Sequence, residues 1–331
     1  MVLGFEMRVV VCESFGPVEN LVVASVESPA LRLGQVRLSM LAAGLSFVDG
    51  LMVQGLYQIK PPLPFRPGGE ALGRVTEVAD DVPRDLLGKR YLAAGGMTGA
   101  WATELVAPAS SLISVPDNLT DGQAATFLQS YMTGWFALTK RITTTPGETL
   151  LVLGAGSGVG LAAVDIGRAL GLRVFAVASS SEKRSAALAI GAESVIDSLS
   201  ENVKERAKEL AGGNGVDIVY DPIGGALAEP CLRAMREEGR YLVIGFAAGA
   251  IPTFPINQVL LRNRSVIGVE YGGWVARFPE QSNALTAEVL EHLATGVLRP
   301  VEPGTYRLDA VGAALKALGN REVTGKLALI P

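Results

Sequence analysis

Residues Thr149–Leu161, TLLVLGAGSGVGL, decide how this chain is read. An apolar run leads into a glycine-packed turn, and the turn opens onto a helical pattern. Backbone N–H groups at a helix start point outward without intrahelical partners, and the helix dipole adds partial positive charge there. Such a start accepts a phosphate if no side chain blocks it, and Gly156, Gly158 and Gly160 carry no Cβ to do so. The spacing departs from strict G-x-G-x-x-G, because Val159 stands where the third glycine would follow Gly154 and Gly156. A tight turn that binds nothing is the competing reading, so the flanking sequence has to choose.

Outward from the turn, LAAVDIGRALG (161–171) is apolar at helical spacing and stops at a glycine. LRVFAVA (172–178) is a continuous apolar run suited to a strand buried on both faces. Strand, glycine turn, helix and strand within about 30 residues form the βαβ context that the motif requires. The alternation continues: helix at 181–191, strand at 194–197, helix at 202–212, strand at 216–221, helix at 226–239 despite Pro230, and strand at 240–246. This pattern predicts a doubly wound parallel α/β sheet of Rossmann type with its ligand at the carboxyl ends of the strands. The expected turn contacts are Ala155, Gly156, Ser157, Gly158 and Val159.

The end of the second strand discriminates between dinucleotides. A carboxylate there bonds a ribose 2′-hydroxyl and repels a 2′-phosphate. Here the strand runs into Ser179, Ser180 and Ser181, with Lys183 and Arg184 following and Glu182 the one opposing charge. Hydroxyls and cations hold a phosphate by charge-assisted bonds, so NADPH is expected, with Ser179 and Lys183 at the 2′-phosphate. A solvated helix face explains the same cations without a ligand.

The 331 residues suit two domains. A net charge of −4 without a basic cluster argues against nucleic acid as a partner. No run approaches the roughly 20 apolar residues of a membrane span. The N-terminal MVLGFEMRVVVCE enters a strand pattern directly, without a charged-then-apolar signal layout, so a cytoplasmic location is expected. Cys12 and Cys231 fall in different expected domains, which makes a disulfide improbable. Before the turn, short strand-like runs punctuated by Gly and Pro predict a twisted, mainly β domain, and helical periodicity begins near Asp121. The last segment offers two helices and a strand, GKLALI. The expected division is 1–126 with 268–331 for the β domain and 127–267 for the dinucleotide domain.

The run from Ser46 to Val75, the 154–160 turn, YDPIGG (220–225) and the closing NREVTGKLALIP (320–331) resemble the medium-chain dehydrogenase/reductase superfamily. Within it they most resemble the zinc-free NADPH:quinone oxidoreductases, the zeta-crystallin-like family. The resemblance implies a GroES-like substrate domain, a Rossmann domain, catalysis in the cleft between them and a homodimer, with RSVIGVEYG (264–272) as a pairing edge. It also implies that Tyr57 lines the acceptor site, where a phenol donates a hydrogen bond to a developing oxyanion. Packing over the PPLP segment is the alternative for Tyr57. Ser46 stands where relatives commonly have an asparagine for nicotinamide contact, Asp49 fits the family's pattern, and Thr133 is placed at a helix start facing the nicotinamide. Gly245, Phe246 and, more loosely, Arg321 match cofactor-contacting positions. The loops at 95–100 and 271–277 are expected to shape the acceptor pocket, with Trp101, Trp135 and Trp274 serving either that pocket or the core.

Zinc is excluded by composition. A catalytic zinc needs about three Cys, His or carboxylate ligands and a structural one commonly four Cys, whereas this chain has two cysteines and one histidine. Zinc relatives have Cys at Ser46 and Gly-His-Glu at Gly68-Gly69-Glu70, and His292 is expected on a helix surface. Without a Lewis acid to stabilise an alkoxide, simple alcohol and ketone interconversion is disfavoured. Quinones need less help, because hydride arrival leaves a delocalised phenolate. The expected activity is hydride transfer from NADPH to a quinone; the alternative is an α,β-unsaturated carbonyl or enoyl thioester. An NADPH-binding protein with little catalysis is the reading from another class.

Overall fold

Strand and helix boundaries follow the hydrophobic pattern closely in the computed structural model, which describes residues 6–93 and 98–331. The chain divides into two compact units, 1–128 with 302–331, and 129–301.

The first unit contains β1 (Glu6–Val11), β2 (Val22–Glu27), β3 (Gln35–Leu45), α1 (Phe47–Val53), β4 (Ala71–Val78), β5 (Arg90–Ala93), β6 (Glu104–Pro108) and β7 (Leu112–Ser114). Helix α2 (Asp121–Thr139) begins in this unit and ends in the second. The second unit continues with β8 (Thr149–Leu153), α3 (Gly158–Ala169), β9 (Arg173–Ala178), α4 (Ser181–Ile190), β10 (Ser194–Asp197), α5 (Val203–Leu210) and β11 (Val216–Asp221). Then come α6 (Ala228–Ala234), β12 (Met235–Val243), α7 (Asn257–Leu260), β13 (Ser265–Gly268), α8 (Tyr271–Arg277) and α9 (Pro279–Ala294). The first unit closes with β14 (Gly304–Arg307), α10 (Val311–Gly319) and β15 (Leu327–Ile330).

In the first unit, β1 and β2 form an antiparallel pair, and a seven-stranded sheet runs β14-β15-β3-β4-β5-β7 with β6 also on β3. Its core gathers Val36, Leu38, Leu45, Met52, Ala71 and Leu329. Trp101 belongs to this core rather than to a pocket. It is fully buried, its Nε1 donates to Gly44 O at 2.9 Å, and a Cβ on Gly68 would fall 2.4 Å from its ring.

In the second unit six parallel strands are ordered β10-β9-β8-β11-β12-β13. Counted from β8 this is the 3-2-1-4-5-6 arrangement of a doubly wound dinucleotide fold, whose strand order reverses between β8 and β11. Strand β8 is buried along its whole length, as its continuous apolar run requires.

Two boundaries differ from the sequence reading. The helix expected over 226–239 ends at Ala234, and β12 starts at Met235. Met235 is buried and pairs with Val216, so tertiary burial overrides the helical propensity of the residues that follow. The return to the first unit comes at Glu302 rather than near 268. Residues between these points hold to the second unit: Tyr271 and Trp274 pack on Phe136, His292 packs on Trp135 at 4.8 Å between ring centroids, and Arg299 N–H donates to Asp165 at 2.5 Å. His292 is accordingly half-buried against an indole rather than a free surface residue.

Candidate cofactor and acceptor sites

The turn after β8 is built from backbone. Gly154 turns the chain at a positive φ of 58°, and Ser157 caps α3, its Oγ accepting from Gly160 N–H at 3.1 Å and donating to Gly154 O at 2.8 Å. Ala155 N–H donates to Val177 O and Ser157 N–H to Gly154 O. The N–H groups of Gly156, Gly158 and Val159 are left without a protein acceptor among the described residues. Of the five turn residues singled out from sequence, Ala155 and Ser157 therefore brace the loop while the other three present donors. A Cβ on Gly160 would lie 2.3 Å from Gly154 O, so only glycine closes this turn.

A Cβ on Gly156 would lie 2.4 Å from Cβ of Lys183, which places the lysine stem directly over the glycine turn. This juxtaposition joins two features that are 27 positions apart along the chain. Ser180 caps α4, its Oγ accepting from Lys183 N–H at 3.2 Å, and Ser179 is exposed at the end of β9. Arg184 is engaged elsewhere, pairing with Asp197 at 3.1 Å and donating to Ala178 O. No carboxylate stands at the end of β9 itself, and Glu182 is exposed. Three outward N–H groups on a glycine turn, with a lysine stem laid over it, fit the pyrophosphate of a dinucleotide.

Across the sheet, Asp221 ties two loops together at the ends of β11 and β12. Its Oδ1 accepts from Ile223 and Gly224 N–H at 2.8 Å each, and its Oδ2 accepts from Tyr241 OH at 2.5 Å. Its carbonyl accepts from Ile244 and Gly245 N–H at 2.9 and 3.3 Å. Burial and the neighbouring carboxylate push the Tyr241 phenol well above its ordinary value. Gly245 and Phe246 thus lie on a braced loop, with the Phe246 ring 40% exposed.

In the first unit Ser46 caps α1 through a reciprocal capping box. Its Oγ accepts from Asp49 N–H at 3.3 Å, while Asp49 Oδ2 accepts from Ser46 N–H and Ser46 Oγ at 2.7 Å each. Asp49 is buried, and desolvation pushes its carboxyl up to about 6 despite the Ser46 bonds. Behind it lies a buried ion pair, Lys326 Nζ to Glu70 Oε1 at 3.1 Å. Tyr57 is half-buried and packs on the core of this unit, and Arg321 is exposed at a positive φ of 61° just after α10.

Thr133 does not stand at a helix start. It lies in the middle of α2, half-buried, with its hydroxyl donating to Gln129 O at 2.7 Å. Of the acceptor loop expected at 95–100, residues 95–97 lie outside the described residues. Trp135 and Trp274 pack with His292 and Phe136 respectively. Sequence reasoning missed Asp165, fully buried in α3, which accepts from Tyr131 OH at 2.9 Å and pairs with Arg168 at 2.7 Å. It passed over Asp49 as a titratable group, although the Ser-x-x-Asp spacing is visible. Cys12 and Cys231 are buried in separate units, and no group of three His, Cys, Asp or Glu side chains among the described residues is arranged to hold a metal.

A doubly wound dinucleotide unit inserted in a mainly β unit, with a glycine turn at the first strand, defines a medium-chain dehydrogenase/reductase. Residues 32–117 match the family model of an alcohol dehydrogenase GroES-like domain, and residues 158–288 that of a zinc-binding dehydrogenase. The chain is 35% identical over 325 residues to a quinone oxidoreductase-like protein 2 homolog of Nematostella vectensis, covering 97% of this chain and 88% of that protein. It superposes with a TM-score of 0.86, at 27% identity, on Escherichia coli quinone oxidoreductase complexed with NADPH, over 98% of this chain and 100% of the other. It is also 31% identical over 303 residues to a phthioceranic/hydroxyphthioceranic acid synthase of Mycobacterium tuberculosis, covering 89% of this chain and 14% of that protein. The chain belongs to the quinone oxidoreductase-like, zinc-free branch of the superfamily and is an oxidoreductase that uses a nicotinamide cofactor.

Proposed function

We propose that this enzyme reduces quinones at the expense of NADPH. The observation that carries the reading is the Lys183 stem lying over Gly156, with Lys183 N–H held by the Ser180 hydroxyl and no carboxylate at the end of β9. Gly156, Gly158 and Val159 N–H groups hold the pyrophosphate, Ala155 and Ser157 keep their loop in shape, and Ser179 with Lys183 holds the 2′-phosphate. Gly245 and Phe246, braced by Asp221, flank the nicotinamide, with Thr133 and Arg321 as outlying contacts. When bound, the cofactor supplies hydride from its nicotinamide ring. Tyr57 then acts on the acceptor, donating a hydrogen bond to the oxygen on which charge develops, and Ser46 does the same once its proton is released from Asp49. A quinone suits this equipment because its hydride adduct delocalises charge that a metal would otherwise have to stabilise.

The second reading, reduction of an α,β-unsaturated carbonyl or enoyl thioester, is supported by the similarity to one segment of a much longer acid synthase. The acceptor is a small molecule in both. We further propose a homodimer formed along β13, the edge of the six-stranded sheet, where an exposed Val266 would otherwise invite uncontrolled strand pairing. Steady-state rates with 1,4-benzoquinone, 9,10-phenanthrenequinone, a 2-alkenal and crotonyl thioester, each with NADPH and with NADH, test the reading. The expected result is turnover of the quinones with NADPH at the highest kcat/KM; turnover of the thioester alone would replace quinone by enoyl thioester.

A further inference from the structure

We propose that Ser46 and Asp49 form a two-member proton relay that delivers the proton completing acceptor reduction, with Ser46 Oγ as the donor and the buried Asp49 carboxyl as its reservoir. The inference rests on the reduction reading above and adds the proton source to it. Hydride arrival leaves an oxyanion on the acceptor, and a proton must follow to give the neutral product. Ser46 is half-buried whereas Asp49 is 8% exposed, so the hydroxyl is the outer member and the carboxyl the inner one.

The 2.7 Å bond between Ser46 Oγ and Asp49 Oδ2 is the path between them. A hydroxyl has one donor and two acceptor positions. With Asp49 ionised, Ser46 donates inward to the carboxylate and accepts Asp49 N–H. With Asp49 protonated, Ser46 accepts both Asp49 N–H and the carboxylic O–H, and its own proton is released to point outward. Transfer then balances simply: the acceptor oxyanion takes the Ser46 proton, Ser46 takes the Asp49 proton, and the carboxylate is recharged from solvent. Asp49 is suited to the part because no cation among the described residues is ion-paired with it. The charged groups felt by its carboxyl are Glu70, at the head of β4, and Lys326, preceding β15, which are already paired with each other at 3.1 Å. Burial therefore leaves its carboxyl titrating near 6, within reach of a working pH.

The test compares wild type with Asp49→Asn, Ser46→Ala and Ser46→Thr, using a 2-alkenal and 1,4-benzoquinone as acceptors. The alkenal adduct is the stronger base and depends more on a delivered proton. Wild-type kcat for the alkenal is expected to fall as pH rises above about 6. Asp49→Asn and Ser46→Ala should lower it roughly 100-fold and flatten that limb. Ser46→Thr, which keeps a hydroxyl, should restore the limb. NADPH affinity, read by fluorescence without acceptor, should change less than threefold in each. Carbon-13 NMR of aspartate carboxyls should show one resonance titrating near 6 that disappears in Asp49→Asn. Equal kcat in wild type and both deletions, or an unchanged pH limb in Asp49→Asn, overturns the relay while leaving quinone reduction standing. If neither acceptor is turned over by wild type, the reduction reading itself fails, and the NMR titration alone then decides whether Asp49 is a proton-holding group.

Discussion

The helix start at Ser46 in the first unit and the helix start at Ser157 in the second use the same cap for opposite ends. In both, a serine hydroxyl accepts the N–H of the residue three positions on. At α1 that residue is Asp49, whose carboxylate folds back onto Ser46 and accepts its N–H and its hydroxyl. At α3 it is Gly160, which has no side chain to fold back; Ser157 N–H donates to Gly154 O instead, and no side chain among the described residues covers the Gly158 and Val159 donors. A third serine cap, Ser180 at α4, has Lys183 in the equivalent place and sends a cation over Gly156. One capping geometry with a carboxylate, a hydrogen or an ammonium at its third position thus gives a buried carboxyl on its own cap, a glycine turn with outward donors, and a lysine stem laid over that turn. Changing that third residue in each helix is the sharpest way to test the comparison.

Gly160→Ala should have the largest effect. Its new Cβ would meet Gly154 O at 2.3 Å and Ala155 Cα at 2.8 Å, both backbone atoms that have no rotamer to escape into. Overpacking of this kind costs about 1–3 kcal/mol, and here the displaced backbone is the cradle itself. NADPH affinity by calorimetry is expected to drop at least 100-fold together with a lower melting temperature. Retention of wild-type affinity would show that the turn is a structural corner only.

Asp49→Asn comes next and is read as a pH dependence of stability. The folded carboxyl titrates near 6 and its unperturbed value is 3.8, so the folded state favours the protonated form. Stability from this preference is complete below about pH 4 and is lost as pH rises through 6, amounting to about 3 kcal/mol for a shift of roughly two units. Urea unfolding of wild type should therefore lose stability relative to Asp49→Asn between pH 4.5 and 8. A constant difference across that range would mean that the carboxyl is no reservoir.

Legibility in the sequence divides along the same line. The turn can be read because a backbone turn of this kind needs glycines at fixed spacing and a strand before them, and both are local. The doubly wound parallel sheet follows from the alternation of strand-like and helix-like runs, and the end of β9 from its serines. What escapes depends on contacts far apart in the chain. Asp49 carries a visible capping spacing, but the charged groups its carboxyl feels, Glu70 and Lys326, come from 21 and 277 residues away. Asp165 goes unmarked in the sequence because Tyr131 and Arg299 are brought to it from 34 and 134 residues away. Met235 reads as helix until Val216 pairs with it. Thr133 is misplaced from sequence because a resemblance transfers a residue's neighbourhood without its position along the helix.

Lys183 carries the smallest of the three effects and the most selective. Its N–H is fixed by Ser180 Oγ and its stem by contact with Gly156, so the side chain is held in place before any phosphate arrives. Replacement by methionine keeps the stem over the glycine and removes only the charge, whereas alanine removes both. A charge-assisted bond to a phosphate is worth about 1.5–3 kcal/mol, or roughly 10- to 150-fold in affinity. Both variants should raise KM for NADPH by that factor while leaving KM for NADH within twofold, since NADH has no phosphate for the ammonium to reach. If alanine weakens both cofactors and methionine weakens neither, the lysine acts by covering Gly156, and selection of the phosphorylated dinucleotide falls to the serine hydroxyls at the end of β9.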